Sequence, residues 1–229
     1  MKKLTIYPYS PFDIDSGMTI FESKNSTFIW QLSRFLSGED INIAILSENN
    51  KILKVSKETR YIGDVTTVPD FNKIFGKQIA EILVKHCDND LIQKIQVTDF
   101  SLKNSILQVI FDNDLPLEIA ESFDVLKLLK YLELSIENIK CESVYDIIEY
   151  VIDIANRLAD NSLYVFINAR YYLSDEQIIS LGNEAKIKNV SILLVSLTLS
   201  SVIHEITTDD VVTYFIDGDF VDFRSDGQK

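Results

Sequence analysis

The sequence is poor in the residues that punctuate, staple or catalyse. Seven Gly and four Pro in 229 residues exclude collagen-like and low-complexity chains. There are only two cysteines, Cys87 and Cys141. They share no metal-ligand spacing and make no disulfide framework, so a reducing cytoplasm is the expected compartment. Only two histidines, His86 and His204, are present, which excludes a three-histidine zinc site. No apolar run reaches the roughly 18–20 residues of a membrane span. The longest, Val190–Leu199, is strand-sized and broken by Ser and Thr. The opening MKKLTIYPYS lacks the apolar stretch of a signal peptide. Positive charge is scarce as well. Against 35 Asp plus Glu stand 22 Lys plus Arg, a formal net charge of −13. Taken at face value, that argues against nucleic acid as a partner.

What is present is enough for a packed core. The chain is 46 % hydrophobic, too apolar for disorder and long enough for one large domain or two small ones. Its N-terminal part reads as strands around one helix. Strands are expected at Lys3–Tyr9, Thr19–Glu22 and Ile41–Leu46, and again at Lys51–Val55 after a turn at Glu48-Asn49-Asn50. The helix between them is capped by Asn25 or Ser26, carries Phe28, Ile29, Leu32 and Phe35, and stops at Gly38. The middle is helical. Asp70 caps one amphipathic stretch, a second spans Leu91–Phe111, and a third holds Val125–Leu132. Ser143 and Asp146 form a capping box before Val144, Ile148, Val151 and Ala155. The C-terminal part returns to α/β. Leu163–Ile167 and Val190–Leu197 are continuous apolar runs, as strands buried on both faces would be. Between them a second capping box, Ser174 to Gln177, opens a helix to Lys188. This is a βαβ unit with parallel strands. Val211–Ile216 and Phe220–Phe223 close the chain as a hairpin around Asp217-Gly218. The order suggests a discontinuous α/β head, residues 1–68 and 160–229, with a helical insertion over 69–159.

Most catalytic signatures are missing. A phosphate-binding loop needs a Gly-rich turn with Lys and Ser/Thr behind it. Gly76-Lys77 is the only Gly-Lys pair, Phe71 stands where the first Gly would be, and Gln78 follows. Asn168 follows the apolar run Leu163–Ile167, where a P-loop enzyme has its magnesium-binding Asp. An amide binds Mg²⁺ poorly. Asn168 is either part of a degenerate nucleotide site at a strand's carboxyl end or simply a strand-to-helix turn residue.

Two charge constellations remain. Lys51, Lys54, Lys57 and Arg60 recur every third residue with only Glu58 among them. They are either lysines blunting a solvated edge strand or a sequence-blind ridge for phosphates. On a straight strand a step of three alternates faces, so collecting them requires a bend near Ser56. Between Asp112 and Asp153, eleven acids face three lysines, a net −8. Within this run Glu118, Glu121 and Asp124 step by three and would share one face of a helix. They either complement a helix dipole or supply oxygens to Ca²⁺.

In their order these features resemble the type II-A CRISPR-associated spacer-acquisition protein of the ring-forming Csn family. The resemblance is best over Leu163–Thr198 (LYVFINARYYLSDEQIISLGNEAKIKNVSILLVSLT), fair over Lys51–Asp70 and Leu115–Leu132, and weak at the termini. It implies a P-loop-ATPase-like α/β head without nucleotide motifs and an inserted helical leg. It also implies a homotetrameric ring that takes double-stranded DNA ends into a lysine-lined hole. Calcium would be bound through acids of the helical part, and integrase proteins and the effector nuclease would be partners, with no catalysis. Carried over by position, Lys51, Lys54, Lys57 and Arg60 become phosphate contacts, and Glu118, Glu121 and Asp124 become calcium ligands. Pro116 departs from the family pattern. The alternatives are a degenerate P-loop-like ATPase and a protein-interaction module without DNA.

Overall fold

The computed structural model describes residues 1–120, 122–137, 140–198, 206, 208–216 and 222–224. The chain divides into two units, Met1–Pro69 with Ile139–Lys229, and Asp70–Asn138.

The first unit holds two sheets. A small antiparallel sheet is built from β1 (Lys2–Thr5), β2 (Phe12–Ile14), β4 (Ile45–Glu48) and β5 (Lys51–Ile52), in the order β2-β1-β4-β5. The large sheet contains β3 (Gly17–Ser23), β6 (Thr59–Asp64), β7 (Leu163–Ile167), β8 (Ser191–Leu197), β9 (Val211–Ile216) and β10 (Asp222–Arg224), in the order β10-β9-β3-β8-β7-β6. All its pairs are parallel except that of the edge strand β10. Numbered along the chain, the five parallel strands lie in the order 5-1-4-3-2. The chain therefore runs to one side of its first strand and returns to the other, which makes β3 and β8 a topological switch point.

Helix α1 (Ser26–Leu36) and the small sheet cover one face of the large sheet. Leu4, Phe12, Phe21, Phe28, Leu32, Leu46, Val165 and Val195 form one buried cluster there. Helices α6 (Val144–Arg157) and α7 (Asp175–Ile187) belong to this unit too, and α7 packs on β3, β8 and β9. Every side chain of β3 and β7 is buried, as a strand covered on both faces requires. Both capping boxes form as read, at Ser143/Asp146 and Ser174/Gln177.

The second unit contains α3 (Phe71–His86), α4 (Asn89–Asp112) and α5 (Val125–Tyr131). Asp70, Asp88 and Asp124 each accept from a backbone N–H of the first turn behind them. Gly76-Lys77 lies inside α3.

Several expected elements move. The strand expected at Ile41–Leu46 lies at Ile45–Glu48, because pairing Leu4 with Leu46 turns both into the core. The one expected at Lys3–Tyr9 stops at Thr5. The run Lys51–Val55 is a strand only to Ile52, and Val55 starts helix α2 (Val55–Glu58). The helical insertion ends near residue 138, not 159, since α6 packs with α7 in the head. Among the described residues, the acidic run before α5 is not helical. Asp114 takes a left-handed φ of 49°, Leu115 N closes α4 on Ile110 O, and Pro116 has no N–H to start another turn. The turn expected at Asp217-Gly218 lies outside the described residues.

Candidate nucleic-acid interface

The basic segment begins on a tight hairpin. Asn49 and Asn50 have φ of 48° and 61°, the pair of left-handed residues that a two-residue type I′ turn demands. Behind the turn Lys51 pairs with Glu48 and Ile52 with Ser47. Leu53 N extends the hairpin by donating to Leu46 O at 2.9 Å. The chain then coils into α2, where Lys57 N and Glu58 N both donate to Lys54 O.

This turn resolves the spacing problem posed by a step of three. Lys54 is the N-cap and Lys57 the third helical residue, and three residues apart on a helix is one face. Lys51, Lys54 and Lys57 are all exposed. Among the described residues none of the three enters an ion pair.

Arg60 behaves differently. Its Nε lies 3.2 Å from Asp160 Oδ2, with the two side chains only 22 % and 8 % exposed. Its Nη1 donates to Lys57 O at 3.3 Å and to Thr59 O at 3.5 Å. Asp160 is itself fixed. Its Oδ1 accepts from Ser162 N at 3.0 Å and Ser162 Oγ at 2.6 Å, and its Oδ2 accepts from Tyr164 OH at 2.9 Å. Burial, and then the Asp160 carboxylate, push the Tyr164 phenol far above its ordinary value, so it stays a donor. From the other side the buried Thr59 hydroxyl sits 2.8 Å from Val55 O and 3.1 Å from Leu36 O. The basic turn is thus tied to the end of α1 and to the start of β7. Asp160 and Thr59 were not singled out from sequence. The only local sign was an Asp two residues before a Ser at a strand entrance, an Asx-turn pattern.

The carboxyl ends of the parallel strands hold no phosphate loop among the described residues. Only Lys24 and Asn25 separate β3 from α1, and Asn25 Oδ1 accepts from Phe28 N at 3.0 Å, so a side chain already occupies that helix start. Asn168 takes a left-handed φ of 59° and donates its N–H to Val195 O at 2.8 Å. Its Nδ2 lies 3.5 Å from Asp64 Oδ2. The Thr66 N–H holds the Asp64 carboxyl below its ordinary range.

Of the three acids expected to bind calcium, two lie in the described residues. Glu118 is exposed in an irregular run, and Glu121 lies outside the described residues. Asp124 spends Oδ1 on capping α5, accepting from Leu126 N at 2.9 Å and Lys127 N at 3.3 Å. No group of three or more His, Cys, Asp or Glu among the described residues is placed to hold a metal ion.

The sequence model of the CRISPR-associated protein family Cas_Csn2 matches residues 37–220. The chain belongs to the Csn2 family. A Csn2 chain with this fold is similar to the crystal structure of Stu0660 of Streptococcus thermophilus, at 14 % identity and a TM-score of 0.56, over 94 % of this chain and 74 % of that one. A second similar structure is the ADP conformation of an ATP-binding cassette of an ABC transporter, at 12 % identity and a TM-score of 0.48, covering 98 % and 91 %. A search of curated proteins returns no significant match. Csn2 membership assigns the chain a CRISPR-associated role in adaptation. No helix among the described residues is long and apolar enough to cross a membrane.

Proposed function

We propose that this Csn2 chain is a non-catalytic, sequence-independent clamp for double-stranded DNA ends in spacer acquisition. One observation carries the reading. In a chain of net charge −13, three exposed lysines without ion pairs among the described residues sit on a hairpin and a helical turn anchored to the head. Such a surface contacts phosphates and reads no bases. Each lysine–phosphate contact adds about −0.9 to the slope of log affinity against log salt. A homotetrameric ring would multiply this ridge around a central hole. The second unit supports assembly, because α4 buries no residue and leaves Val97, Phe100, Leu102, Val109 and Phe111 exposed. Integrase proteins and the effector nuclease are the partners this reading implies.

A ring loads through free ends. Linear duplex should therefore bind and a closed circle of the same length should not. Equal affinity for the two sinks the threading mechanism. Changing Lys51, Lys54 and Lys57 together to Glu should abolish binding while size-exclusion chromatography shows the assembly unchanged. Surviving affinity would move the DNA site elsewhere.

A further inference from the structure

Resting on the DNA reading, we infer that Arg60 is a positioning residue: its pair with Asp160 fixes the backbone of the Lys54–Lys57 turn, and it makes no phosphate contact of its own. Sequence spacing groups Arg60 with the lysines, but its surroundings separate it from them. Its guanidinium is mostly covered and faces a carboxylate that is 8 % exposed. A covered, paired cation has little left to offer a phosphate.

What the pair does is visible in its other bonds. Nη1 reaches the carbonyls of Lys57 and Thr59, the last turn of α2 and the residue after it. A helix of four residues has almost no intrinsic stability. It persists only where its neighbours hold it. Two anchors do so: the Thr59 hydroxyl between Val55 O and Leu36 O, and the Arg60 fork between the Lys57 and Thr59 carbonyls and Asp160. Asp160 in turn is immobilised by Ser162 and Tyr164. The chain of contacts runs from the buried start of β7 to the backbone of Lys57. It acts on binding by pre-ordering the turn, so that less entropy is lost when phosphates arrive.

Charge and position make opposite predictions. Asp160→Asn keeps the side chain's size and removes one negative charge beneath the turn. If Arg60 contacts phosphate, that change frees it and tightens binding. If Arg60 positions the turn, binding weakens. Arg60→Lys keeps the charge and loses the fork. Arg60→Gln loses both.

The experiment measures linear-duplex affinity over a salt series for wild type, R60Q, R60K and D160N, with K57Q as the contact control. All are assayed well below their thermal midpoints. For K57Q the salt slope should shrink by about 0.9 for each engaged copy. For R60Q, R60K and D160N the affinity should fall several-fold with the slope unchanged. A slope that shrinks in R60Q and recovers in R60K makes Arg60 a phosphate contact and overturns the inference. Tighter binding by D160N does the same, as does unchanged affinity in all three variants. If K57Q leaves the slope unaltered and the combined Lys51, Lys54 and Lys57 variant still binds, the DNA reading itself fails, which separates that failure from the failure of the positioning role. Should R60Q not fold, D160N and R60K decide alone.

Discussion

Two helical glycines should respond in opposite ways to one added methyl group. Gly182 lies where α7 crosses β9. A Cβ there would collide with Val211 Cγ2 and come within 3.2 Å of Asp210 O. Neither a strand side chain in a buried sheet nor a backbone carbonyl can give way cheaply. Gly182→Ala should cost about 1–3 kcal/mol by overpacking. Gly76 sits in the middle of α3 with nothing within 4 Å of its missing Cβ. Gly76→Ala should add about 0.4–1 kcal/mol, by restricting the unfolded chain and suiting the helix. Urea denaturation followed by circular dichroism reads both, and the same sign for the two would refute the packing argument. The same scale shows what sequence could not tell. Arg60 shares its spacing with the lysines, and the family resemblance carried it over with them as an expected phosphate contact. Its partner, Asp160, lies across the whole inserted unit in sequence, and only the parallel pairing of Thr59 with Leu163 brings them together.

Elements with local signatures were legible, and those defined by distant pairing were not. The capping boxes at Ser143 and Ser174 need only four consecutive residues, so the starts of α6 and α7 could be read directly. The position of β4 depends on which residue faces Leu4, and nothing inside Ile41–Glu48 states that. Likewise the strand at Thr19–Glu22 could be read from its own residues, but its place in the middle of the sheet as β3 could not. The α6 box makes a prediction with a sign. The Glu142 N–H first, then Ser143, donate to the Asp146 carboxylate and hold its pKa below the ordinary 3.8. A carboxyl with a lowered folded pKa contributes stability above its unfolded value and loses it as pH falls through the folded one. Acidification from about pH 5 toward 3 should therefore destabilise the wild type more than Asp146→Asn. Ser143→Ala should cost about 1 kcal/mol at neutral pH, since Asp146 N loses its acceptor. Parallel pH dependence in wild type and D146N would show that the box contributes nothing to acid sensitivity.

At the scale of the molecule, −13 is an average over very unequal regions. The segment Lys51–Arg60 carries a net +3, whereas Asp112–Asp153 carries a net −8. A total this negative disfavours a protein that coats DNA generally, yet leaves room for DNA held at one basic surface. The acidic excess could then act in two ways: as a bare repulsive surface, or as a surface partly neutralised by a bound cation. Calcium discriminates them. The hard cation needs about six to eight oxygens, with several from carboxylates. Glu118 and Asp124 are exposed, and the cap at Asp124 engages its Oδ1 alone among the hydrogen bonds described. Replacing Asp124 by Asn removes the charge while retaining a side chain that caps helices as well as Asp does. The combined variant Glu118→Gln, Glu121→Gln and Asp124→Asn therefore withdraws three charges without removing the α5 cap. If these acids bind calcium, the wild type should gain thermal stability as free Ca²⁺ rises and lose it on chelation. The variant should unfold at the same temperature with and without the ion. A calcium-dependent shift that survives in the variant would place the ion on other acids. A wild type indifferent to calcium would leave the acidic surface to act by repulsion, confining DNA to Lys51, Lys54 and Lys57.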